Sequence, residues 1–121
     1  MIDFNKHFAL LYYGMAMSDG NIELKEKEEI FKIINAVDIM EHSDDEKEEM
    51  YSILRDAISK DMNSDDAFST FKGFYTENKN FFDKTLKSQI LQAIDSIALA
   101  SHGRNKSESV FYSKVHLLFE N

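Results

Sequence analysis

From Phe8 to Met17 the chain runs almost without a polar side chain. Residues 4–17 read as a helix. A helix that is apolar around its whole circumference has no face to give to water and must be enclosed by the rest of the fold. The run closes on Ser18-Asp19-Gly20-Asn21. Gly20 suits the left-handed conformation of a helix end or tight turn, where a Cβ is penalised.

Composition says what does the enclosing. The 121 residues hold four glycines and no proline, against roughly eight and six at average usage. Val and Thr together number six. Strand-favouring side chains are thin outside Ile and the aromatics, so helices joined by short turns are expected. The length corresponds to one domain, large enough to bury a core without disulfides.

Further helices follow by period. One runs from about 24 to 37, with Ile30, Ile33, Ile34 and Val37 on a face. Ser43 with Glu46 reads as a capping box, opening a helix with Met50, Ile53, Leu54, Ala57 and Ile58 inward. Asn63 or Ser64 caps a fourth, carrying Phe68, Phe71, Phe74 and Tyr75, a stripe assigned to the core. Residues 81–100 form a fifth, with Leu86, Ile90, Ile94, Ile97 and Ala98 inward, ending at Ser101-His102-Gly103. A sixth spans about 106–119. The expectation is an all-α, compact single-domain helical bundle over residues 1–121, with two central apolar helices.

Charge and missing residue types exclude several functions. Without cysteine there is no disulfide framework, thiolate zinc site, iron–sulfur cluster or cysteine nucleophile. A net charge of −8 argues against nonspecific nucleic-acid binding and against anionic lipid. No apolar run approaches the ~20 residues of a membrane span. Met1-Ile2-Asp3-Phe4 lacks a basic leader region, and a cytoplasmic location is expected. Enzyme motifs are missing as well. There is no Glu-x-x-His or His-Glu-x-x-His, no phosphate-cradling glycine loop and no Gly-x-Ser-x-Gly elbow. Residues 19–66 carry 16 acids and six bases, a net of −10, and the remainder carries +2. This acidic stretch is either a set of solvated faces or a surface for a cation or basic protein partner.

The sharpest local signal is Asp19-Gly20-Asn21-Ile22-Glu23-x-x-Glu26. It is like the second half of a calcium-binding loop, with Glu26 as closing carboxylate. Met15 and Met17 occupy the positions of the first two oxygen ligands, so the loop alone cannot complete a site. The second half of the chain repeats the pattern faintly. Ser96-Ile97-Ala98-Leu99-Ala100-Ser101-His102-Gly103, followed by Glu108, can be set beside Tyr13–Gly20 followed by Glu26. The pair suggests pseudo-twofold packing. Plain structural roles stand beside these readings. Asp19 before Gly20 is ordinary turn chemistry. Glu26 complements a helix N-terminus, and a protonated His102 complements a helix C-terminus. Glu23 occupies a capping position and is simply solvated. Met15 and Met17 fill core.

Ala16-Met17-Ser18-Asp19-Gly20-Asn21-Ile22 with Glu26 resembles the TerB-like family, named for tellurite-resistance proteins. The family's motif is an apolar helix ending in Ala-x-x-Asp-Gly, an apolar residue two places on, and glutamates opening the next helix. The family carries the motif twice, and Ala98–Gly103 with Glu108 falls where the second copy belongs. The resemblance implies a helical bundle without known catalytic activity, whose paired acidic motifs gather on one surface and bind a metal ion. It links the chain to tellurite and other stress responses. Carried over residue by residue, the implied ligands of a divalent metal are Asp19 and Glu26 from the first copy, and His102 and Glu108 from the second. His102 stands where an aspartate is expected and Asn105 where an apolar residue is expected. The His for Asp exchange tilts such a site towards zinc or nickel.

Overall fold

The computed structural model describes residues 4–36, 43–100 and 105–120. Six helices account for most of them: α1 (Phe4–Ala16), α2 (Leu24–Asn35), α3 (Asp44–Ser59), α4 (Ser64–Glu77), α5 (Lys84–Leu99) and α6 (Lys106–Phe119). A single 3-10 turn, Lys79–Phe81, joins α4 to α5. There is no strand among the described residues. The molecule is an all-α helical bundle, as the composition indicates.

The apolar run sits where its chemistry requires. Every residue from Phe8 to Ala16 is buried, and α1 packs against each of the other five helices. At ~1.5–3 kcal/mol for each large apolar side chain removed from water, Phe8, Leu10, Leu11 and Met15 make α1 the main apolar contributor to the bundle. Gly14 permits the closest approach. A Cβ there would lie 2.8 Å from Cζ of Phe111 on α6 and 3.2 Å from Cβ of Ala67 on α4. The Ser64 hydroxyl donates to the Gly14 carbonyl at 2.8 Å, so the start of α4 is tied to the end of α1.

By contrast α5 is buried on one face only, through Ile90, Ala93, Ile94, Ile97 and Ala98. Lys87, Gln92 and Asp95 interrupt its other faces. One helix, not two, is therefore enclosed all round.

The helix starts follow their caps. The Ser43 hydroxyl accepts from the Glu46 N–H at 3.2 Å, and Glu46 Oε1 accepts from the Ser43 N–H at 3.0 Å. Asn63 caps α4 by accepting from the Asp66 N–H at 2.8 Å. Asp83 caps α5 by accepting from the Leu86 N–H at 2.8 Å, which moves its start from the expected residue 81 to Lys84. The residues before it form the 3-10 turn and deliver Phe82 inward. Phe82 lies within 5.0–6.4 Å, ring centre to ring centre, of Phe4, Phe8, Phe71, Phe74, Tyr75 and Phe119, mostly edge to face. Phe68, Phe71, Phe74 and Tyr75 are all buried, so the aromatic stripe is core. At the other end, α2 stops at Asn35, and the expected inward Val37 lies outside the described residues.

Candidate functional site

The turn that ends α1 is built by hydrogen bonds from its own short side chains. Gly20 takes φ +90°, and its N–H donates to the Met17 carbonyl at 2.8 Å. Asp19 Oδ1 accepts from the Asn21 N–H at 3.2 Å, an Asx turn. Asp19 is exposed, as turn chemistry alone would have it. Its second oxygen does something further. Oδ2 accepts from Asn105 Nδ2 at 3.0 Å, across 86 residues of chain. The turn that ends α1 is therefore tied to the start of α6.

The helices α2 and α6 start with the same device, a capping box with Glu at its third position. In α2, Glu26 Oε1 accepts from the Glu23 N–H at 2.9 Å. In α6, Glu108 Oε1 accepts from the Asn105 N–H at 3.0 Å, and Asn105 Oδ1 accepts from the Glu108 N–H at 2.9 Å. Glu23 is thus the cap of α2 and not simply a solvated side chain. Asn105, which breaks the apolar pattern of the motif, both caps α6 and holds Asp19.

Glu26 and Glu108 are the two charged residues buried among the described ones, each 2% exposed. Carboxylates avoid burial unless something compensates. Here the Glu108 carboxyl lies close enough to Glu26 to disfavour its ionisation. Burial is the main cause that pushes the Glu26 carboxyl up to about 8. The Glu23 N–H opposes the shift. The Glu108 carboxyl, by hydrogen bond and by charge, and then the Asp19 charge, reinforce it. The backbone donors engage Oε1 on each side. A carboxyl pair of this kind is the familiar case of like charges that cannot both ionise.

The structure thus brings together three of the four sequence-derived residues: Asp19, Glu26 and Glu108. His102 lies outside the described residues, as does the rest of Ser101–Gly103. Among the described residues no group of three or more His, Asp or Glu converges tightly enough to hold a metal ion, and Asp19 is engaged at the rim by Asn21 and Asn105. The donor set fits a hard cation in one respect: two buried carboxyl groups lie close together at the starts of α2 and α6. Met15 is wholly buried and Met17 half-buried against the same core, so neither offers its sulfur to this site.

Sequence reasoning missed Asn105 as the link between the turns, although Asn105-x-x-Glu108 is a legible capping signal. Comparison with protein-family models, with curated proteins and with solved structures finds no match. Among the described residues no helix is long and apolar enough to cross a membrane.

Proposed function

We propose that this chain is a non-enzymatic, cytoplasmic stress-response protein of the TerB-like, tellurite-resistance type, which binds a divalent metal ion between its two acidic turns. The observation that supports this reading is the Glu26–Glu108 pair. Two buried carboxyl groups, supplied by matched capping boxes 82 positions apart in sequence, lie close enough that burial and the neighbouring Glu108 raise the Glu26 pKa. A pair of ionised carboxylates is costly in such a place unless a cation sits between. Glu26 and Glu108 would hold the ion through their free oxygens. Asp19 would add negative potential at the rim, and His102 stays a candidate fourth ligand. The ion would supply the positive charge that lets both carboxylates ionise. Oxygen donors favour calcium, magnesium or manganese, and participation of His102 would favour zinc or nickel.

The test is a thermal melt with each of those five ions, on the wild type and on Glu26→Gln. An ion that binds only the folded state stabilises it by about 2.7 kcal/mol at a hundredfold excess over Kd, or a rise of roughly 10 °C for a domain of this size. That rise is expected in the wild type and lost in the variant. No shift with any ion contradicts the reading.

A second reading rests on a different observation. Asp44, Asp45, Glu48 and Glu49 are all exposed on the first turns of α3, a concentrated acidic face suited to a basic protein partner. Reversing those four charges would abolish salt-sensitive partner capture on this reading, and leave the metal-dependent melt unchanged.

A further inference from the structure

The helix α2 packs on α1, α3 and α5, and it is held there by little. We propose that α2 is a strap that undocks as a unit while the other helices stay folded, and that its docking makes and breaks the Glu26–Glu108 pair.

Of the 12 residues of α2, Glu26, Ile30 and Ile34 are buried, and one of these three is a carboxyl group. By comparison α1 buries nine residues, and α4, α5 and α6 bury five each. Two isoleucines are thus the enclosed apolar anchors of α2, and the burial of Glu26 works against them. Leu24 and Phe31 face outward, 70% and 42% exposed. The Phe31 ring meets the Tyr51 ring edge to face, at 5.3 Å between centres. The helix α3 also buries three residues, but Asn5 of α1 ties it down by donating to Glu46 Oε2 at 3.1 Å. Nothing equivalent holds α2. Among the described residues, no α2 side chain apart from Glu26 makes a hydrogen bond or ion pair to another helix.

The flanks of α2 are incompletely filled. An open cleft of about 540 Å³ lies between α2 and α5. Glu29 and Lys32 line it on one side, and Gln89, Gln92 and Ser96 on the other. Polar side chains in an open cleft keep their water, so this flank adds little adhesion. On the opposite flank a shallow apolar gap remains between Phe31, Leu54 and Ile58, and contacts missing across a gap are lost outright. The turn that leads into α2 supplies a pivot. Gly20 sits there at φ +90° with nothing within 4 Å of where a Cβ would stand, so the turn is not wedged into the core.

An element with few buried apolar contacts opens at a lower free energy than the whole domain. Opening of α2 uncovers an apolar bed that includes Tyr13, Leu54 and Ala93. It also carries Glu26 away from Glu108, which stays on α6. Docking of the strap therefore assembles the pair on which the metal reading rests, while the opening itself requires no ion.

Amide hydrogen exchange on the full chain tests this under native conditions, across low urea concentrations and with a chelator present. The chelator keeps the outcome independent of the metal reading. After correction for intrinsic rates, the amides of residues 28–35 should exchange at least about tenfold faster than those of residues 11–16 in α1. They should share one opening, with a small but measurable urea dependence, because undocking exposes less surface than global unfolding. Phe82→Leu separates the two processes. The Phe82 ring packs on α1, α4 and α6 and touches no ring of α2. This variant should speed exchange in α1 by about tenfold and leave residues 28–35 unchanged. Three results would overturn the proposal: equal rates and urea dependence in α1 and α2, α2 exchange that accelerates in step with α1 in Phe82→Leu, or a gradient of rates from the helix ends without urea dependence, which is fraying.

Discussion

The Glu26–Glu108 pair makes a prediction about stability and pH that needs no metal. With burial as the first cause, the Glu26 carboxyl keeps its proton up to about pH 8 in the native state. In the unfolded chain it loses that proton near its ordinary value of 4.5. Between those values the native state binds one proton more than the unfolded state. Stability is therefore full below about pH 4.5 and falls as pH rises through about 8, the opposite of an ion-paired carboxylate. The slope is at most about 1.4 kcal/mol per pH unit, which sets a ceiling near 5 kcal/mol. Water and counter-ions at the exposed Asp19 rim screen part of it, leaving a loss on the order of 2–3 kcal/mol. Glu26→Gln removes the titration while keeping the geometry. The amide oxygen still accepts from the Glu23 N–H, and the amide nitrogen donates to the Glu108 carboxylate. Urea denaturation at pH 5 to 9, with a chelator, reads the difference. At pH 5 the two proteins should unfold at about the same midpoint. By pH 9 the variant should be more stable by about 2–3 kcal/mol, or roughly 1–2 M in urea midpoint. Parallel profiles from pH 5 to 9 would refute the raised Glu26 pKa.

Other perturbations test the packing around the site. Gly14→Ala puts a methyl group 2.8 Å from the Phe111 ring, and calorimetry should show a loss of about 1–3 kcal/mol from overpacking. Phe82→Ala empties the centre of the aromatic cluster and should cost about 3–5 kcal/mol, read in the same way. Asn105→Ala removes both the cap of α6 and the bond to Asp19. It should cost about 1–2 kcal/mol and speed amide exchange in the first turn of α6. Unchanged exchange there would mean that the two turns are held together by other contacts.

What could be read in the sequence was local. The apolar run Phe8–Met17 announced an enclosed helix, and Ser43, Asn63 and Gly20 marked starts and stops because capping and left-handed turns use few residue types. Asp83 is equally legible as a cap, and it starts α5 one turn later than the apolar period alone indicates. Phe82 gave no such signal. It lies between helices, where periodicity says nothing, and only the tertiary fold turns it inward. The site divides the same way. Asp19, Glu26 and Glu108 were found as members of a repeated pattern. The burial of Glu26 and Glu108, and the closeness of two carboxyl groups so far apart in sequence, depend on how α2 and α6 dock beside α1. No local pattern encodes that. Asn105 looked like a departure from the motif and proved to be the residue that joins its two copies.

The metal reading is tested most directly by isothermal titration of calcium and manganese into the wild type, Glu26→Gln, Glu108→Gln and Asp45→Asn at pH 8. One ion per chain should bind the wild type and Asp45→Asn, and neither glutamate variant should bind it. Absence of binding in the wild type, or binding that survives in both glutamate variants, would contradict a cation held between the two turns.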